Sequence, residues 1–116
     1  NSDIRVLTGH DMKGFAEHDW RTLARPGSVA AIYMGKRSAR FLQGRLMMHG
    51  ADPDTPVTIV ENASRPEARI LSTTLAELEP ALSEAGLTGP ALMMLGLSPR
   101  RAAETLQTLR NEEIAL

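Results

Sequence analysis

Ala91–Leu95, ALMML, is an unbroken apolar run closed by Pro90 and Gly96. A strand with one wet face alternates apolar and polar residues. A run with no polar position needs cover on both faces, which is how the central strand of a layered sheet reads. The chain therefore has to build a sheet with a layer on either side of it. Its 116 residues suffice for one domain of that kind.

The rest of the chain supplies such layers. Arg5–Thr8 reads as a short strand running into Gly9 and His10, and 11–18 as polar loop. A chain that opens inside a strand reads as a piece of a longer protein. Asp19 is placed to cap a helix over Trp20–Ala24, with Trp20 and Leu23 facing the core together. A turn at 25–28 leads to a strand over Val29–Met34. The segment after Gly35 carries Ala39, Leu42 and Leu46 on one helical face, and Gly50 stops it. Pro56–Glu61 is a β-branched strand, and Arg69–Thr73 a weaker strand suited to a sheet edge. Thr74 and Glu77 match a capping box, and Pro80 splits the segment 74–85 into a turn and a helix to Ala85. Ser98 and Pro99 open a last helix with Ala102, Leu106 and Leu109 inward. The expected fold is α/β, a mixed sheet of about five strands with helices on both faces.

Composition excludes several function classes. A net charge of −1 gives no field for nucleic acid, and 3% aromatics is too few for a base-stacking platform. The absence of cysteine removes disulfides, thiolate metal sites and a thiol nucleophile. No apolar run reaches membrane-spanning length, and the first ten residues lack the pattern of a signal peptide. The expected setting is the cytoplasm, with neither nucleic acid nor membrane as partner.

One joint stands out as a place for a site. Val29–Gly35 is a strand that ends at a glycine and runs at once into a basic helix. In open α/β sheets, strand ends and helix N-termini converge on a crevice at such joints. Asn62–Ser64 follows another strand, so the two strand ends could line one pocket. Gly35 heads no glycine-rich phosphate motif. Lys36 and Arg37 begin a helix, where the macrodipole favours anions, and Arg40 lies one turn on. Cations there suit an anionic ligand, but the same pattern fits a solvated helix face, and spacing does not choose between them. His10 and His18 have no third ligand at helical or hairpin spacing, so no metal site is expected. His49 is expected to meet free carbonyls at a helix end. The pairs Met47–Met48 and Met93–Met94 read as core filler. Ser28, Ser38 and Ser64 stand in no nucleophile motif.

Taken together, VLTGH (6–10), DW with LA (19–24), IYMG (32–35), HG (49–50), PVTIVENAS (56–64), AR (68–69), TL (74–75) and PALMMLG (90–96) form an ordered set. This set resembles the C-terminal half of uroporphyrinogen-III C-methyltransferases, tetrapyrrole methylases that also form the methylase module of sirohaem synthase. The resemblance covers about residues 5–97. It departs from the family pattern at Ala68, where a glutamine is usual, at Thr73, where a glycine is usual, and at Leu97–Pro99, which open a new helix.

The resemblance implies the second of two α/β subdomains, with S-adenosylmethionine bound in the cleft between them. It implies methyl transfer to uroporphyrinogen III, giving precorrin-2 for sirohaem and cobalamin, by a homodimer. It assigns Met34 and Ala63 to the cofactor. Uroporphyrinogen carries acetate and propionate carboxylates, for which Lys36, Arg37 and Arg40 are the candidate partners. The family's glycine-rich cofactor loop and acid–base residues belong to the first half, so no catalytic residue is expected in this chain, and alone it should be inactive. A stand-alone binding or interaction domain that kept the half-fold is the competing expectation.

Overall fold

Every residue of the Ala91–Leu95 strand is buried, and its position in the sheet accounts for that. In the computed structural model, which describes residues 4–62, 67–87 and 90–111, the elements in chain order are β1 (Arg5–Thr8), α1 (Gly9–Lys13), α2 (Glu17–Ala24), β2 (Ala30–Met34), α3 (Lys36–Met48), β3 (Pro56–Glu61), β4 (Arg69–Thr74), α4 (Leu78–Glu84), β5 (Ala91–Leu95) and α5 (Pro99–Asn111). The described strands form one five-stranded sheet in the order β1-β2-β5-β3-β4. The sheet is mixed. β1 and β2 are parallel, while β5 runs antiparallel to β2 and β3, and β3 antiparallel to β4.

Strand alternation then sorts the core into two layers. Ala91, Met93 and Leu95 of β5 point with Ile32, Met34, Val57 and Ile59 toward one face, where α1 to α4 deliver Met12, Trp20, Leu42, Leu46 and Leu78. Leu92 and Met94 point with Ala31 and Val60 to the other face, covered by Ala102, Leu106 and Leu109 of α5. Full burial of each such large side chain contributes about 1.5–3 kcal/mol. The α/β class, the central place of β5 and the edge place of β4 agree with the sequence reading.

Two positive-φ glycines fix the connections. Gly50, at φ 87°, ends α3 as expected. Gly96, at φ 81°, lies so close to the Ser28 carbonyl that a Cβ would collide with it. Beside it, the buried Thr58 hydroxyl donates to the Leu97 carbonyl at 2.8 Å, so the one buried polar side chain of β3 is satisfied.

The structure corrects four local expectations. The loop expected over 11–18 starts inside a helix: the Thr8 hydroxyl accepts from the Asp11 amide at 3.0 Å and the Asp11 carboxylate accepts from the Thr8 amide at 2.8 Å, closing a box that starts α1. Asp19 lies inside α2 rather than before it, and accepts from the Ala16 amide at 2.9 Å. The expected box at Thr74 and Glu77 is absent because Thr74 remains in β4, opposite Pro56. α4 begins instead at Leu78, and Pro80 falls in its first turn, where a missing N–H costs no helical bond. Met47 and Met48 are exposed at the end of α3, not core filler, whereas Met93 and Met94 are buried as expected.

Candidate functional site

β5 lies between β2 and β3 and opposes both, so β2 and β3 point the same way and their C-terminal ends reach one edge of the sheet. The register makes this concrete: Ala91 is paired with Met34 on one side and Glu61 on the other. β1, parallel to β2, brings Thr8 to the same edge beside Tyr33. The Met34–Gly35 and Asn62 strand ends therefore lie at one end of the sheet on either side of β5, but Asn62 does not line the pocket next to Met34. Ala63 and Ser64 lie outside the described residues.

Met34 is buried and lines an apolar pocket together with Ala39 of α3, Ile59 of β3, Leu78 and Leu82 of α4, and Met93 of β5. The pocket holds about 20 Å³, room for about one water. Its rim is Gly35, which is exposed, and no neighbouring atom lies within 4 Å of where a Cβ would stand. The space beside the Gly35 backbone is therefore open.

Next to that rim, Lys36, Arg37 and Arg40 come together with Glu79 of α4 around a pocket of about 170 Å³. Arg40 Nε donates to Glu79 Oε2 at 3.2 Å. Arg45, on the same helix, lies apart from them with its guanidinium 5.0 Å from the Phe41 ring centroid. His49 Nδ1 is 2.8 Å from the Arg45 carbonyl, at the end of α3, as expected of a histidine there. Among the described residues no group of three or more His, Cys, Asp or Glu could hold a metal ion.

Four features of this edge are not evident from the sequence. Gly9 is buried against α3, where a Cβ would fall 2.7 Å from Ser38 Oγ. Asn62 has φ 58°, a left-handed turn residue that ends β3, and asparagine is among the few side chains that tolerate this conformation. Arg69 Nε pairs with Glu61 Oε1 at 2.9 Å across the β3–β4 ladder. At the mouth of α1, the Thr8 backbone amide, then its side chain, hold the Asp11 carboxyl below its ordinary value.

Residues 2–79 match the family model described as Tetrapyrrole (Corrin/Porphyrin) Methylases. The chain belongs to the tetrapyrrole methylase family. It is 38% identical over 93 residues to a siroheme synthase of Pseudoalteromonas translucida, covering 80% of this chain and 20% of that protein. It is 35% identical over 98 residues to a uroporphyrinogen-III C-methyltransferase of Sinorhizobium sp, covering 83% of this chain and 35% of that protein. A Thermus thermophilus uroporphyrin-III C-methyl transferase complexed with S-adenyl homocysteine superposes with a TM-score of 0.59 at 26% identity, over 81% of this chain and 40% of that one. The tetrapyrrole methylase fold is thus present here as a part: the chain spans between about a fifth and two fifths of these relatives' lengths.

Proposed function

We propose that this chain is the C-terminal part of an S-adenosylmethionine-dependent uroporphyrinogen-III C-methyltransferase that makes precorrin-2. In this reading it forms the cofactor- and substrate-facing half of a cleft whose other wall is a first subdomain. The observation that carries the reading is the convergence at Ala91 of the β2 and β3 ends, with an apolar pocket lined by Met34, open space at Gly35 and a cationic pocket alongside.

The residues fit an adenosine at the rim. Met34 offers a polarizable thioether, and Gly35 offers a backbone without a side chain in the way. The pocket interior is too small for a purine ring, so the ring rests across the rim or parts the walls. Ala63, the small residue after Glu61 and Asn62, is proposed to let the backbone approach the cofactor from the other strand end. The bound cofactor supplies an electrophilic methyl group on a sulfonium. Lys36, Arg37 and Arg40 hold the carboxylates of the tetrapyrrole, since cationic partners for acetate and propionate groups are what that substrate needs at a cleft mouth. No proton-transfer group is assigned to this chain. In this reading the protein acts in the cytoplasm as a homodimer, without nucleic-acid or membrane partners. Among the described residues no helix is long and apolar enough to cross a membrane.

The test is methyl transfer. The 116-residue chain incubated with S-adenosylmethionine and uroporphyrinogen III should give no precorrin-2, and the same chain fused behind the first half of the Sinorhizobium relative should give it. Turnover by the chain alone, or none by a folded fusion, contradicts the proposal.

A further inference from the structure

Glu79 is an acid in a cationic place. Its carboxylate shares the pocket of about 170 Å³ with Lys36, Arg37 and Arg40, and Oε2 accepts from Arg40 Nε at 3.2 Å. Its backbone is fixed independently of that contact. The Glu79 amide donates to Gln43 Oε1 at 3.2 Å, and Gln43 Nε2 donates to the Ala76 carbonyl at 3.1 Å. α4 is thereby pinned to α3, and the Glu79 side chain can leave Arg40 without moving the helix.

The pair itself is easily exchanged. The Arg40 side chain is 75% exposed and that of Glu79 40%. Exposed ion pairs are weak because water and salt compete with them. We propose that Glu79 stands where a ligand carboxylate sits on Arg40, and that a polycarboxylate tetrapyrrole displaces it on binding. Glu79 is then a specificity-determining residue. A tethered carboxylate competes at high effective concentration, so a lone carboxylate gains little by replacing it. A ligand with several carboxylates engages Lys36 and Arg37 at the same time and can displace it. This inference rests on the reading of Lys36, Arg37 and Arg40 as the substrate's carboxylate partners.

The experiment titrates the 116-residue chain with uroporphyrin, the stable oxidised form carrying the same carboxylates, at low ionic strength and follows porphyrin fluorescence. Glu79→Gln should tighten binding by about two- to fivefold. It should also steepen the loss of affinity with salt. Glu104→Gln on α5 changes net charge equally but lies on the other face of the sheet, and should leave binding unchanged. Lys36→Gln with Arg37→Gln should weaken binding in either background. If that double variant weakens binding but Glu79→Gln has no effect, or acts no differently from Glu104→Gln, the role of Glu79 is overturned and the cationic patch stands. If the Lys36 and Arg37 changes leave binding untouched, or if neither the chain nor its fusion behind the first half of the Sinorhizobium relative binds uroporphyrin, both readings are overturned.

Discussion

Arg69 Nε lies 2.9 Å from Glu61 Oε1, directly across the last rung of the β3–β4 ladder. The same guanidinium donates through Nη2 to the Ala85 carbonyl at 2.7 Å, beyond the end of α4. One side chain therefore ties the end of β3, just before the left-handed Asn62, to the helix that walls the Met34 pocket.

Replacing Arg69 with Met should cost only about 0.2–1 kcal/mol, because the ion pair is partly exposed. The local effect should be larger than the global one. Hydrogen exchange should quicken at Glu61 and Asn62 more than in β5, and uniform change across the sheet would show that Arg69 does not hold that strand end.

Gly9→Ala forces a methyl group to within 2.9 Å of Ser38 Cβ, where α1 meets α3. Overpacking of this kind costs about 1–3 kcal/mol. Chemical denaturation should show that loss, and pairing it with Ser38→Gly should recover part of it. No recovery in the double variant would place the strain elsewhere.

Leu42 is fully buried in the layer beneath α3. Leu42→Ala should destabilise the fold by about 2–5 kcal/mol, through lost burial and the cavity left behind. Met48→Ala, at an exposed position on the same helix, should change stability by less than about 0.5 kcal/mol. Equal losses in the two variants would contradict the assignment of helix faces.

The Asp11 carboxyl is held below its ordinary value by the Thr8 backbone amide and then the Thr8 side chain. A lowered folded value means that the cap's contribution is present above the ordinary value of 3.8 and is lost as pH falls through the lowered folded value. Carbon-detected NMR titration of Asp11 should place its midpoint below 3.8, and Thr8→Ala should move it back up. An unchanged midpoint in Thr8→Ala would contradict the cap.

The residues make legible what is local and repeated. The ALMML run reveals β5, and the spacing of Ala102, Leu106 and Leu109 reveals α5, because burial periodicity is written into adjacent residues. α1 is hidden because it has five residues and its buried positions are only Gly9 and Met12. The Thr74 box misleads because a strand pairing, Thr74 with Pro56, overrides a helix-start pattern. At the candidate site, Met34, Gly35, Lys36, Arg37 and Arg40 are legible as one stretch of chain. That Met34 and Glu61 share Ala91 depends on β5 inserting between their strands, and that Glu79 meets Arg40 joins positions 39 residues apart. Neither is written in local spacing.

The central claim is that the edge where Met34 and Glu61 flank Ala91 faces the cofactor. The direct measurement is a titration of isotope-labelled chain with S-adenosylhomocysteine, read by amide chemical shifts. The shifts should gather at Thr8–Gly9, Met34–Gly35 and Asn62–Ser64, and should fade in the Ala63→Leu variant. Shifts gathered instead at the opposite edge, around Ser28, Asp52 and Gly96, or no shifts at saturating ligand, would contradict it.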